Sequence, residues 1–276
     1  MSRARSTNIL PGFRLATGYA LTYLCLLVLL PLATVVAKAS MGGVGGIWSS
    51  MTSERALAAY RLSVVGALGA AIINTAFGLI VAWALVRYRF PGRKIMDALI
   101  DLPLALPTAV AGIALTAVYA RDAWLGAALE RIGVTVAYTN LGVLIAMVLV
   151  GLPFTVRTVQ PVIEDLDAEI EEAAASLGAS TATTFRRIIV PTLFPALLTG
   201  FALAFAKAVG EYGSIIFISS NIPRSTEIAP LLIMTRLEEF DYSGAAGVAV
   251  GLLALSLALL FIVNSLQAWS RRALPA

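Results

Sequence analysis

The sequence has 276 residues, of which 59% are hydrophobic and 13% charged, with a formal net charge of +4. No water-soluble domain of this size is so apolar, so the composition predicts an integral membrane protein. One cysteine and no histidine exclude an intrachain disulfide framework and histidine-based metal or acid–base chemistry. The basic residues flank apolar runs and form no single patch, which argues against nucleic acid as a partner.

Six apolar runs are long enough to cross a bilayer and predict an all-α integral membrane protein with six transmembrane helices. The predicted spans are residues 15–37, 62–86, 99–120, 141–156, 193–219 and 245–269, within a single domain over residues 15–272. Residues 1–14 form the preceding segment. The first run exceeds the about 7–15 residues of a signal-peptide core, so it is interpreted as an uncleaved span.

Basic residues between the spans predict the orientation. With the N-terminus inside, twelve of the 20 Lys and Arg residues fall in inner segments and seven in outer segments, and the last, Lys207, lies within a span. An excess of Lys and Arg marks the cytoplasmic side, so both termini and the loop at residues 157–192 are predicted to be cytoplasmic.

The third span begins with two prolines four residues apart, Pro103 and Pro107, followed by Thr108. Each proline removes a backbone donor and crowds the carbonyl four residues earlier, which loosens the helix. In lipid the freed carbonyls need protein or water partners, so this half-span is expected to face the interior, either along a pathway or as a packing kink. Asp97 and Asp101, near the membrane boundary, are expected to pair with Arg93 or Lys94.

No nucleotide-binding loop is present. The glycine-rich stretch at residues 41–46 is not followed by Gly-Lys-Ser/Thr, and no Gly-Lys dipeptide occurs anywhere in the chain. This chain is therefore not expected to hydrolyse ATP, and we predict no catalytic residue, metal site or cofactor of its own.

The loop between spans four and five contains an amphipathic segment. Its apolar positions recur at helical spacing and form one stripe, comprising Leu166, Ile170, Ala173, Ala174 and Leu177, with acidic residues on or beside the opposite face. Gly178 is expected to end the helix in the left-handed conformation, Ser180 to cap a second short helix, and Pro191 to end that helix. Two short helices cannot build their own core, so the stripe predicts a groove on another protein; the alternative, a helix on the bilayer surface, usually has a basic polar face.

Two charged residues, Lys207 and Glu211, lie deep in the fifth span. A charge at mid-membrane costs about 2.5–3.5 kcal/mol on insertion scales, whereas an i,i+4 pair recovers about 0.2–0.5 kcal/mol in water. They should therefore face the protein interior or a water-filled path. Two interpretations stay open: part of a translocation pathway or gate, or a structural ion pair.

The motif Glu172, Ala173 and Ala174, with Gly178, Ile188 and Pro191, resembles the coupling loop of ATP-binding-cassette importer permeases, with Val190 where that pattern has Leu. Over nearly its whole length the chain is similar to the sulfate/thiosulfate importer permeases of the CysT type. This similarity is carried by residues 87–93, 101–103, 105–112, 156–161, 210–213 and 239–242.

The resemblance implies a type I importer permease with the MetI-like fold, located in a bacterial inner membrane. It implies a heterodimer with a second sulfate permease subunit, served by a cytoplasmic ATPase dimer that holds ATP and magnesium and by an extracytoplasmic sulfate- or thiosulfate-binding protein. The segment 164–191 would couple the chain to the ATPase. Molybdate or tungstate is the alternative cargo, and a secondary anion transporter is the alternative from another class.

Overall fold

The computed structural model describes residues 13–273, so the predicted segment 1–14 lies mostly outside the described residues. Within that range the chain is all helical, as predicted. The α-helices are α1 Phe13–Leu24, α2 Leu30–Ser40, α3 Gly43–Thr52, α4 Glu54–Arg87, α5 Arg93–Ala105, α6 Thr108–Tyr119, α7 Trp124–Glu130, α8 Asn140–Glu164, α9 Ala168–Ser176, α10 Thr181–Thr184, α11 Val190–Val209, α12 Ile215–Ile218, α13 Ala229–Glu238 and α14 Tyr242–Ala273. Two π-helical turns, Cys25–Leu29 and Phe185–Ile189, join α1 to α2 and α10 to α11.

Five continuous helical segments among the described residues are long and apolar enough to cross a membrane: Leu15–Ser40, Glu54–Arg87, Asn140–Glu164, Thr181–Val209 and Tyr242–Ser265. The pair α5 and α6 makes a sixth when it is counted as one span. Six crossings therefore agree with the sequence prediction, although several boundaries differ.

The predicted third span, residues 99–120, is not one helix. Helix α5 ends at Ala105, α6 starts at Thr108, and the two axes are bent by 115°. The cause is Pro107, because a residue that precedes proline avoids the helical region and Leu106 is accordingly extended at φ −81° and ψ 138°. Pro103 is tolerated inside α5.

The fourth and fifth spans also differ from the prediction. Helix α8 continues to Glu164, so the connection predicted at residues 157–192 contains the end of one span and the start of the next. The fifth span was predicted to reach residue 219, but α11 ends at Val209. A five-residue turn and the short helix α12 follow. In this turn Gly213 lets the N-terminus of α6 approach its backbone, since a Cβ at this position would overlap Thr108 Oγ1.

Helices α4, α8 and α11 form the core of the molecule. Their central contact is lined by small residues: a Cβ added to Gly78 would come 2.7 Å from Thr155 Cγ2, and one added to Gly200 would come 3.0 Å from Thr155 Cα. Such close approach favours dispersion contacts between helices that have lipid, rather than water, as their solvent. Larger side chains such as Met147 and Phe205 fill the core on one side of this seam, and Leu193 and Ile163 fill it on the other.

Candidate functional site

The predicted amphipathic segment forms a hairpin, residues 165–189, which consists of α9, the turn after it and the start of the next helical segment. Asp167 caps α9, its Oδ1 accepting a bond from Glu169 N at 3.1 Å. Gly178 has φ +78°, and Gly178 N and Ala179 N donate to carbonyls of α9 at 2.9 and 3.0 Å. Ser180 caps α10 through its Oγ. The predictions for Gly178 and Ser180 are confirmed.

The structure divides the predicted apolar stripe between two surroundings. Leu166 and Ala174 are each only 7% exposed. They are therefore buried within this chain and need no second protein to cover them. Leu177 is 88% exposed, Ile170 is 39% exposed, and Ala173 between them is exposed as well. The prediction that the whole stripe is unpartnered is wrong for Leu166 and Ala174, and the remaining three residues form a shorter apolar strip at i, i+3 and i+7.

Pro191 does not end a helix, contrary to prediction. The chain stays helical from Thr181 to Val209, and Pro191 occupies the first turn of α11 directly after the π turn Phe185–Ile189. The π turn changes the hydrogen-bond register just before the proline, so the missing N–H does not stop the helix. Glu172 is exposed beside the strip, and no ion pair of Glu172 occurs among the described residues.

The hairpin leans over the last turn of α4. A cleft of about 700 Å³ lies between them, lined by Trp83, Arg87, Glu171, Phe185 and their neighbours. Arg87 and Trp83 were not singled out from the sequence as site residues. The one sequence feature that could have indicated Arg87 and Trp83 is their position at the end of an apolar helix.

The two charges of the fifth span do form an ion pair. Lys207 Nζ lies 2.9 Å from Glu211 Oε2, while Glu211 Oε1 accepts bonds from Ser214 N at 3.1 Å and Ser214 Oγ at 3.0 Å. Glu211 is buried at 2% exposure, whereas 36% of the Lys207 side chain is accessible. Both carboxylate oxygens of Glu211 therefore have partners within the turn after α11 and on Lys207, and part of the Lys207 side chain is accessible.

The proline-rich segment meets this charged turn. Thr108, at the start of α6, packs directly on Gly213, two residues after Glu211. Pro107 lies in the break before Thr108 and is exposed, and Pro103 is half-buried one turn earlier in α5. The structure therefore brings Thr108 to the turn that contains Glu211, while Pro103 lies farther along the bent pair.

Arg157 of α8 binds two carboxylates in the middle of α5, and the sequence analysis did not single it out. Its guanidinium contacts Asp97 Oδ1 at 2.7 Å and Asp101 Oδ2 at 2.6 Å, and its Nε donates to Asp101 Oδ1 at 2.8 Å. The expectation that these aspartates pair with Arg93 or Lys94 is wrong, because one turn of α5 presents both carboxylates to α8. A lone arginine at the end of an apolar run was the available signal.

Residues 74–274 match the family described as "Binding-protein-dependent transport system inner membrane component". The chain is 46% identical over 267 residues to the sulfate transport system permease protein CysT of Salmonella typhimurium, with 97% of this chain and 96% of the relative covered. It is 47% identical over 273 residues to a probable sulfate transport system permease protein of Nephroselmis olivacea, covering 98% and 96%.

Among solved structures, the fold is similar to a bacterial ABC transporter involved in the import of the acidic polysaccharide alginate. The TM-score is 0.76 at 13% identity, with 96% of this chain and 97% of that chain covered. The MetNI methionine ABC transporter also matches, with a TM-score of 0.55 at 16% identity over 82% of this chain and all of that chain. At these identities the likeness concerns the fold alone.

Proposed function

Because the chain belongs to the family of binding-protein-dependent transport system inner membrane components, we propose that it is the permease subunit of an ATP-driven importer of sulfate and thiosulfate. The observation that carries this proposal is the near-full-length identity to relatives named sulfate transport system permease proteins. Those names favour sulfate over molybdate or tungstate. Membership of this family favours a separate ATP-hydrolysing motor over a secondary anion transporter.

In this function the hairpin docks on a cytoplasmic ATPase. The exposed strip of Ile170, Ala173 and Leu177 supplies apolar contact area, and Glu172 beside it supplies a charge without a partner in the described chain. Gly178 fixes where α9 ends and Pro191 lies in the first turn of α11, while Leu166 and Ala174 hold α9 to its own subunit. ATP and magnesium would be held by the ATPase dimer, and this chain would be non-catalytic.

This assignment also fixes the orientation that we propose: the hairpin and both termini on the cytoplasmic side of a bacterial inner membrane. A second permease subunit would complete the pathway, and an extracytoplasmic binding protein would deliver the anion at the opposite end. The solved complex of the alginate transporter with its periplasmic protein has a permease of similar fold, which supports this arrangement.

For the pathway we propose the region where Thr108 meets the turn after α11. Lys207 is the cation there, with a partly accessible side chain, and it would present its charge to a dianion while Glu211 holds its position. Pro107 and Pro103 would allow the bent pair to move at the break between α5 and α6. Alternating access then requires that movement of the hairpin change the packing of the membrane spans to which it is connected.

The proposal is tested by reconstituting the chain with its ATPase, second permease and binding protein in liposomes. We expect ATP-dependent uptake of labelled sulfate and thiosulfate, and much weaker uptake of molybdate. Uptake of molybdate without sulfate would refute the cargo, and uptake driven by a proton gradient without ATP would refute the transport class. A cysteine at Leu177, introduced in a Cys25→Ala background, should react only with reagents on the ATPase side.

A further inference from the structure

Arg87 connects the hairpin to the end of α4 at two points. Its Nη2 donates to the carbonyl oxygen of Leu166 at 3.0 Å and lies 3.1 Å from Glu171 Oε1. Its guanidinium carbon lies 5.5 Å from the centre of the Trp83 ring, one turn earlier on the same helix. One side chain at the end of α4 is thus in contact with the residue that leads into α9 and with the first turns of α9.

The other arm of the hairpin is attached to the same turn of α4 by an aromatic contact. Trp83 and Phe185 meet edge to face, with ring centroids 5.5 Å apart and an interplanar angle of 86°. Phe185 begins the π turn that leads into α11. The last turn of α4 therefore holds both arms of the hairpin, with Arg87 on one and Trp83 on the other.

The space between these contacts is open. The cleft of about 700 Å³ separates α9 from α4, so a force between them passes through the side chains at its edges and not through a packed interior. Within the described part of the chain, Arg87 Nε and Glu171 Oε1 are buried without a hydrogen-bond partner. The two charges are near each other but not aligned, and a small movement of α9 can improve their alignment without first breaking another bond.

We propose that Arg87 is a positioning residue for transport, which carries the movement of the hairpin to α4; this inference rests on the proposed function. Helices α8 and α11 are joined to the hairpin by the chain itself, but α4 is joined to it through the whole segment from α5 to α8. Helix α4 packs against both α8 and α11. If those two helices move and α4 does not, the contacts between them are broken. Arg87 supplies a direct connection from α4 to α9 that sequence continuity does not.

The test uses the complete transporter in liposomes and measures the number of ATP molecules hydrolysed per sulfate imported. If Arg87 carries a typical coupling free energy between sites, Arg87→Gln and Glu171→Gln should raise this ratio about fivefold or more while the ATPase stays bound. Arg87→Lys keeps a cation at the same place and should restore part of the coupling. Arg89→Gln, which neutralises an exposed arginine outside the hairpin in the loop after α4, is the matched control and should leave the ratio unchanged.

A wild-type ratio in both Arg87→Gln and Glu171→Gln would overturn the inference. Loss of the ATPase from the purified Arg87→Gln complex would also overturn it, since Arg87 would then serve docking. If the Arg87→Gln chain fails to accumulate, the ratio of the Glu171→Gln variant alone tests the inference. That variant keeps the bond from Arg87 to Leu166, so it is expected to fold. Failure of the proposed function is seen separately, as a wild-type complex that imports no sulfate; the ratio is then measured with the cargo that it does import.

Discussion

Replacing Lys207 by Met should destabilise the subunit, because Glu211 would remain as a buried carboxylate without its cation. Ser214 would still donate two hydrogen bonds to Glu211 Oε1, but Oε2 would lose the ammonium group that now lies 2.9 Å away. Removing one partner of a fully buried ion pair costs about 3–5 kcal/mol. The Lys207 side chain is 36% exposed and so is not fully buried, and we therefore expect a smaller loss, about 2–3 kcal/mol.

The measurement is the melting temperature of the purified complex, which should fall by about 4–12 °C for that loss. The double variant Lys207→Met with Glu211→Gln should regain most of it, since a neutral Gln can keep the bonds to Ser214 and leaves no unpaired charge. Lys38→Met, which removes an exposed lysine from α2, is the control and should not change the melting temperature.

Transport by the double variant separates the two interpretations of the ion pair. If Lys207 contributes positive charge to the pathway, the variant should be stable yet import sulfate slowly. A stable double variant with wild-type uptake would refute the pathway function. A Lys207→Met variant as stable as wild type would refute the energetic argument itself.

Three further predictions concern the hairpin, the core and α5. Gly178→Pro should abolish co-purification of the ATPase while membrane insertion continues, because φ +78° is closed to proline. Gly78→Ala should cost about 1–3 kcal/mol by crowding the Thr155 methyl group, and Thr155→Ser should relieve that loss in thermal denaturation. Arg157→Gln should cost about 1–2 kcal/mol, since its carboxylate partners are half exposed, and should speed hydrogen exchange of α5.

The hairpin illustrates what can be predicted locally. The end of α9 at Gly178 and the cap at Ser180 follow from interactions within a few residues, so the sequence was sufficient. The division of its apolar stripe could not be predicted, because the helical period places Leu166 and Leu177 on one side without saying which neighbour lies over each. Leu166 is covered by its own subunit and Leu177 is not.

The charged groups were predictable only where their partners are close in sequence. The Lys207 and Glu211 pair follows from i,i+4 spacing, and it is present. The partners of Arg157 are separated from it by 56 and 60 residues, and the contact of Arg87 with Leu166 spans 79. Their one local signal is position at the end of an apolar run, and that signal does not say which distant residue each arginine binds.

By itself the sequence determined that this is a helical membrane protein with about six crossings, because the energy of apolar residues in lipid depends on composition and length alone. It also determined the form of the hairpin turn and the resemblance to importer permeases. Only the tertiary structure decided where the fifth span ends, which half of the apolar stripe stays open and which arginines join separate helices. Those outcomes depend on the distances between helices far apart in sequence, which packing sets and hydrophobic periodicity does not record.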